Sequence, residues 1–210
     1  MKKISKIKIA TTLFACLPAA ILISRLLQGN LTANPIQATT IITGRAAIYL
    51  LLISLYCSPL FNITKMSLFL PIRKITGLFA FYYSSAHFLI FSVIDYQLNI
   101  AWIKPEIQQK PFLQIGLAAF IFLIPLAITS LHTIKKKIGP WWRRIHRLVY
   151  FITTLVIIHI SLTSKGDIVD PLILISIFLF AMFLRIPHIK IFHLPAIPKW
   201  ARDLNAFLIK

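Results

Sequence analysis

The sequence predicts an all-α protein, a polytopic membrane bundle of six transmembrane helices with both termini cytoplasmic. Three observations predict it. The 210 residues are 58% hydrophobic and only 13% charged, about half the charged share of an ordinary soluble domain, with a mean hydropathy of +0.82. Five acidic residues are too few to solvate a globular surface. The basic residues fall in blocks between apolar runs, as cytoplasmic loops beside anionic lipid require. The formal charge of +18 therefore indicates membrane lipid and not nucleic acid, whose binders gather cations along one face.

The first helix, about residues 9–27, follows Lys2, Lys3, Lys6 and Lys8. Its apolar run is long and no small-x-small cleavage site follows, so it reads as a retained span and not as a signal peptide. The second covers about 44–61, where Thr43 is placed to cap exposed backbone N–H groups. The others cover about 75–95, 112–134, 146–164 and 171–186. Most approach the roughly 20 residues that cross a hydrocarbon core, and the last two need flanking residues to do so. Pro18 and Pro125 interrupt helices, which a bundle tolerates when neighbours satisfy the freed carbonyls. Trp141, Trp142 and Tyr150 resemble an interfacial aromatic belt. The whole chain, 1–210, reads as one transmembrane domain, with 187–210 as a basic cytoplasmic tail.

Lysine and arginine set the orientation. With the N-terminus in the cytoplasm, the inner segments hold the first four lysines, then Lys65, Arg73 and Lys74, then Lys135, Lys136, Lys137, Arg143, Arg144 and Arg147. Arg185, Lys190, Lys199, Arg202 and Lys210 complete them. The outer segments keep Arg25, Arg45, Lys104, Lys110 and Lys165, with the acids Asp95, Glu106, Asp167 and Asp170. So lopsided a split places both termini inside.

Within this frame two histidines stand out. His87 lies 13 residues beyond Lys74, and His159 lies 13 residues beyond His146. At about 1.5 Å per residue both imidazoles sit roughly 19 Å above the inner boundary, in the outer half of the membrane. Ionisable groups in hydrocarbon are expensive and mark function. Two imidazoles at one level, on spans taken to run in opposite directions, would grip a planar metal cofactor from both sides, which suggests haem and transmembrane electron transfer. The bland alternative is a pair of unrelated buried histidines, each satisfied by a hydroxyl such as Ser84, Ser85 or Ser161.

His146, within Trp142-Arg143-Arg144-Ile145-His146-Arg147, is the third candidate. It would ligate an inner haem, contact an anionic headgroup or cofactor phosphate, or serve only as an interfacial residue. On an ideal helix it stands about 140° around the axis from His159, so a shared face requires a bulge. Lys74 occupies the matching inner level of the third helix. Arg45, near the outer boundary, either snorkels to headgroups or neutralises a haem propionate. His132 is an interfacial residue or an inner ligand. His188 and His193 lie in the Pro-broken tail and read as solvated. Cys16 and Cys57 lack CxxC spacing and read as apolar filler. No Gly-rich phosphate loop, Ser/His/Asp grouping or paired carboxylate is present, which leaves electron carriage. The rival classes are a histidine-relay proton channel or transporter, and a non-redox membrane anchor. The first normally shows interrupted helices in repeat halves or several mid-membrane acids.

The runs Thr43-Gly44-Arg45-Ala46-Ala47, Ser58-Pro59-Leu60, Arg73-Lys74-Ile75-Thr76-Gly77-Leu78 and Ala86-His87 resemble the MsrQ (YedZ) family. So do Lys110-Pro111-Phe112, Pro125-Leu126-Ala127-Ile128-Thr129-Ser130, Lys137-Ile138-Gly139-Pro140-Trp141-Trp142, Ile145-His146-Arg147-Leu148-Val149-Tyr150 and Ile158-His159. The resemblance spans about Gly29 to Lys165. Relatives commonly carry an acid where Asn34 stands here, and aromatics where this chain has Ile160-Ser161-Leu162.

The resemblance implies a multi-pass b-type cytochrome of the ferric-reductase-like transmembrane group, in a bacterial inner membrane. It implies electrons drawn from the quinone pool, or from reduced flavin or a flavin reductase. They would pass to a periplasmic molybdopterin enzyme, an MsrP-like partner that reduces methionine sulfoxide in oxidised envelope proteins. Catalysis of sulfoxide reduction is then expected in that partner, and FMN is an associated cofactor. His87, His146 and His159 match the family's haem-linked histidines; His132 does not. The expectation is an outer haem b between His87 and His159, with His146 a third ligand or inner cofactor contact. The partner is expected to dock near Gln28–Ile42 and Asp95–Lys110.

Overall fold

The computed structural model describes residues 2–164 and 168–186. The expected tail 187–210, with His188 and His193, lies outside the described residues, as do Lys165 and Asp167. The described residues are helical, with no strand among them. The elements are α1 (Lys2–Leu27), α2 (Pro35–Thr64), α3 (Phe69–Leu89, continued by a π-helical segment Ile90–Asp95) and α4 (Ile100–Gln109). Then come α5 (Pro111–Thr129), α6 (His132–Ile138), α7 (Trp141–His146), α8 (Leu148–Thr163) and α9 (Val169–Phe183).

Among the described residues five segments are long and apolar enough to cross a membrane: Ile4–Leu27, Pro35–Thr64, Phe69–Asp95, Pro111–Thr129 and Trp141–Thr163. The α9 helix is apolar too, but it has 15 residues, short of that length. Large apolar side chains point outward, Leu13 at 64% exposure and Phe180 at 55% among them. Such a surface suits lipid and would be an aggregation liability in water. The interior is built on Ile48, Leu50, Leu51, Leu52, Ala80, Leu123, Leu126 and Ile152.

Two helical hairpins form the centre: α2 packs most extensively on α3, and α5 on α8. The α1 helix rests on α3, and α9 on α8 and α2. The Tyr56 hydroxyl donates to Ile177 O, and Arg185 donates to Leu55 O and Ala181 O, fastening α9 along α2. Arg73 of α3 lies 6.0 Å from the Trp142 ring at the start of α7, so α3 and α8 leave the same basic end. They run in the same direction, not in opposite ones. The third and fifth long helices of a serpentine path must do so.

Several expected boundaries move for local reasons. The second helix begins at Pro35 and not at 44. Pro35 occupies the first turn, and the Asn34 side chain accepts from Gln37 N at 3.0 Å, a strong start signal. Thr43 is therefore mid-helix and caps nothing; its hydroxyl donates back to Thr39 O at 2.8 Å and Thr40 O at 3.0 Å. The expected fourth helix, 112–134, ends instead at Thr129. Thr129 and Ser130 return their hydroxyls to Pro125 O and Leu126 O, and Leu131 turns extended before α6. The expected fifth helix, 146–164, starts instead at Leu148 as α8, and His146 closes the separate short helix α7 before the break at Arg147. The loop after Asp95 holds α4, capped by Asn99 through Ala101 N.

Candidate functional site

The α3 and α8 helices bring His87 and His159 together. Their ring centroids are 6.3 Å apart and their planes stand at 90°, so the matched depths read from the sequence become a single site. Each imidazole is held from a neighbouring helix by the same contact. His87 Nδ1 donates to Thr40 O of α2 at 2.8 Å, and His159 Nδ1 donates to Phe112 O of α5 at 2.7 Å. A carbonyl only accepts, so Nδ1 carries the proton and Nε2 keeps the lone pair. The serine hydroxyls weighed as partners are used elsewhere: Ser84 and Ser85 both return to Phe81 O, and Ser161 to Ile157 O. Hydroxyl-satisfied histidines are thus not what this pair is.

The donor set suits a flat cofactor that brings its own in-plane ligands. Among the described residues no group of three or more His, Cys, Asp or Glu is placed to hold a bare ion, and two imidazoles leave a tetrahedral site half filled. A metal–imidazole bond is about 2.0–2.1 Å, so two rings sharing one ion have centres roughly 6 Å apart, each ring centre standing about 1.1 Å behind its nitrogen. The observed 6.3 Å meets that requirement.

Sequence reasoning missed two supporting residues. Gly44 lies against the His87 ring and Gly116 against the His159 ring. The signal was available, because each glycine precedes its histidine by 43 residues.

Arg45, the next residue of α2, pairs with Asp170 of α9. Both side chains are substantially exposed, 57% and 39%.

A second concavity, of about 350 Å³, opens at the basic end. Arg73, Lys74, Lys135, Arg185, His132, His146 and Trp142 line it, together with Ser54, Gly77 and Tyr150. Among the described residues no carboxylate lines it, so it favours an anion. His146 stacks on Trp142 with centroids 4.2 Å apart, and its Nε2 lies 3.1 Å from the Thr129 hydroxyl. A break at Arg147 separates His146, the last residue of α7, from α8, which carries His159. Lys135 Nζ sits 4.2 Å from the Trp142 ring centre. The Trp142 indole N–H is buried with no hydrogen-bond partner, an unmet donor of the kind that marks a missing acceptor. His132 thus lines this cavity at the basic end, away from the histidine pair. Cys57 is buried and Cys16 exposed, both as free thiols.

Outside the spans, Tyr96 donates to Glu106, and Glu106 pairs with Lys110. Burial, then that bond and the nearby Glu106 and Asp95 charges, push the Tyr96 hydroxyl up to about 12. The bonds from Lys110 and Tyr96 hold the Glu106 carboxyl below its usual range.

The family described as ferric reductase like transmembrane component matches residues 43–157, from the turn of Gly44 to that of His159. A protein-methionine-sulfoxide reductase heme-binding subunit MsrQ of Herminiimonas arsenicoxydans is 33% identical over 187 residues, covering 88% of this chain and 86% of that one. The subunit of the same name from Ralstonia nicotianae is 35% identical over 159 residues, 75% of this chain and 73% of that one. Magnetosome protein MamZ of Magnetospirillum gryphiswaldense is 37% identical over 145 residues, 69% of this chain but 22% of its own length. With His87 inside the matched segment and His159 two residues beyond it, and with the two MsrQ relatives aligned over most of their length, the chain belongs to the MsrQ family of the ferric-reductase-like transmembrane group.

Proposed function

We propose that the protein is the haem b electron-transfer subunit of a methionine sulfoxide reductase system. The observation that carries the reading is the pair His87 and His159, 6.3 Å apart between ring centres and each held through Nδ1 by a helix carbonyl. Both Nε2 lone pairs are left free and would hold the iron of one outer haem. Haem supplies a one-electron carrier when bound. The chain's own residues would hold it: His87 and His159 as neutral imidazoles would add no net charge to the hydrocarbon and, both bound to the iron, would keep oxygen from it.

The bundle would sit in the bacterial inner membrane with six spans, α9 completing its short run with flanking residues, and with both termini cytoplasmic. The lysine and arginine blocks at the end of α2, the start of α3 and through α6 and α7 support that orientation. Electrons would then enter at the cationic cavity around His146, from the quinone pool or a reduced flavin, and leave at the outer histidine pair. His146 is the third ligand or an inner cofactor contact; ligation through Nε2 requires release of the Thr129 hydroxyl. FMN fits this reading only at the cationic end, where a phosphate meets Arg73, Lys74 and Lys135. The recipient would be a periplasmic molybdopterin-containing, MsrP-like enzyme that performs the sulfoxide reduction, docking near Gln28–Ile42 and Asp95–Lys110. Arg45 borders that outer face, with its charge already paired to Asp170.

The test is a visible spectrum of purified protein, oxidised and then reduced with dithionite. His87→Ala and His159→Ala are expected each to abolish the outer haem's absorbance while membrane insertion is unchanged. Full haem content in both variants would overturn the assignment.

A further inference from the structure

The two central hairpins repeat one another. A shift of 72 residues carries Thr40 to Phe112, Gly44 to Gly116 and His87 to His159. Both carbonyl contacts span 47 residues. The α2–α3 and α5–α8 hairpins also run in the same sense, each ending at the histidine level. The repeat is functional and not decorative, because glycine is scarce, with six in the whole chain. Two of those six sit one helical turn after the accepting carbonyl, against the imidazole it holds.

The close approach explains glycine at both positions. A Cβ on Gly44 would stand 3.0 Å from Nδ1 and 3.1 Å from Cε1 of His87. A Cβ on Gly116 would stand 2.8 Å from Nδ1 and 2.9 Å from Cε1 of His159. Neither glycine needs its conformational freedom here, for both lie inside regular helix. What each supplies is the space in which an imidazole reaches past the helix surface to a backbone oxygen. An added methyl would drive the ring off that oxygen, freeing it to rotate.

We infer that Gly44 and Gly116 are paired positioning residues: each admits one imidazole to a helix carbonyl, and together they set the angle and basicity of the two ligands. The inference rests on the reading of His87 and His159 as haem ligands. The two contacts are unequal. Thr40 O also accepts the Thr43 hydroxyl at 3.0 Å, while residue 115, the counterpart of Thr43, is isoleucine. Phe112 O is therefore the less shared acceptor, and the Gly116 contact is the tighter. The His159 side should be the more sensitive half.

The experiment compares purified wild-type, Gly44→Ala and Gly116→Ala holoprotein. Three readouts are used: the haem-to-protein ratio, the rate at which apomyoglobin strips haem, and the low-temperature electron paramagnetic resonance spectrum, which reports the angle between imidazole planes. Gly116→Ala is expected to accelerate haem loss roughly 10-fold or more, as expected when support for a metal-bound histidine is lost. Gly44→Ala should do so less, and both should shift the resonance. If Gly116→Ala fails to accumulate, Gly44→Ala, with the looser contact, decides. Unchanged spectra and stripping rates would overturn this inference. A wild-type protein without haem, or His87→Ala and His159→Ala variants that keep it, would overturn the underlying reading instead.

Discussion

Tyr83 of α3 places its hydroxyl where the backbone of Ala19 in α1 would otherwise bond to its own helix. The phenolic oxygen accepts from Ala19 N at 3.0 Å and donates to Ala15 O at 2.9 Å. It thus completes the ladder next to Pro18. Kinks at proline need such a neighbour, since hydrocarbon offers no water to the freed groups.

Tyr83→Phe should therefore loosen α1 from the bundle. Two buried backbone groups lose their partner, at about 1–3 kcal/mol for each group left unsatisfied. The measurement is the thermal midpoint of the detergent-solubilised protein, expected to fall; an unchanged midpoint would show that α1 is held by apolar contact alone.

Arg45→Ala should be nearly neutral for stability, because an ion pair with partners 57% and 39% exposed contributes about 0–1 kcal/mol. Haem content should also persist, since the guanidinium is committed to Asp170. A marked loss of haem in Arg45→Ala, with an unchanged melting midpoint, would assign the side chain to the cofactor.

The Tyr96–Glu106–Lys110 chain predicts opposite pH limits for the outer loop. Tyr96 is raised from 10.0 to about 12, so its protonated form stabilises the fold fully below pH 10 and that contribution is lost as pH rises toward 12. Glu106 is lowered from 4.5, so its contribution is present above 4.5 and lost as pH falls through the lower folded value. Ultraviolet titration should show a late-ionising phenol that Tyr96→Phe removes. If the phenol lost in that variant ionises near 10, the bond to Glu106 is absent in solution.

Trp142→Phe tests the cationic cavity. The indole N–H has no partner among the described residues, so the substitution breaks no hydrogen bond within the chain, and phenylalanine keeps an aromatic face toward His146. Electron entry from a quinol or reduced flavin should nevertheless slow, measured as the rate of haem reduction in membranes. Equal rates in both proteins would show that nothing binding there uses the indole.

Much of this was legible beforehand. Apolar length disclosed the five long spans, with the sixth, α9, short of that length, and counting from Lys74 and His146 disclosed that His87 and His159 share a level. The helix starts were misplaced where a local cap outweighed hydropathy. Asn34-Pro35 begins α2 nine residues before Gly44, and polar Gln37, Thr39 and Thr40 hid it from an apolar scan. The breaks at Leu131 and Arg147 arise from hydroxyls and tight turns that leave hydropathy unaltered. Thr40 and Phe112 were invisible because they act through backbone oxygens, which any residue has. Gly44 and Gly116 were visible only as a repeat spacing.

The two carbonyl anchors have a final consequence for what crosses the bilayer. A backbone oxygen can take a hydrogen bond but can neither surrender a proton nor pass one on, so each anchored nitrogen is a dead end for acid transport. With the opposite nitrogens turned to a shared metal, neither ring has a free site at which to load a proton. The pair would then conduct charge as electrons alone, leaving the membrane sealed to the gradient that drives the cell.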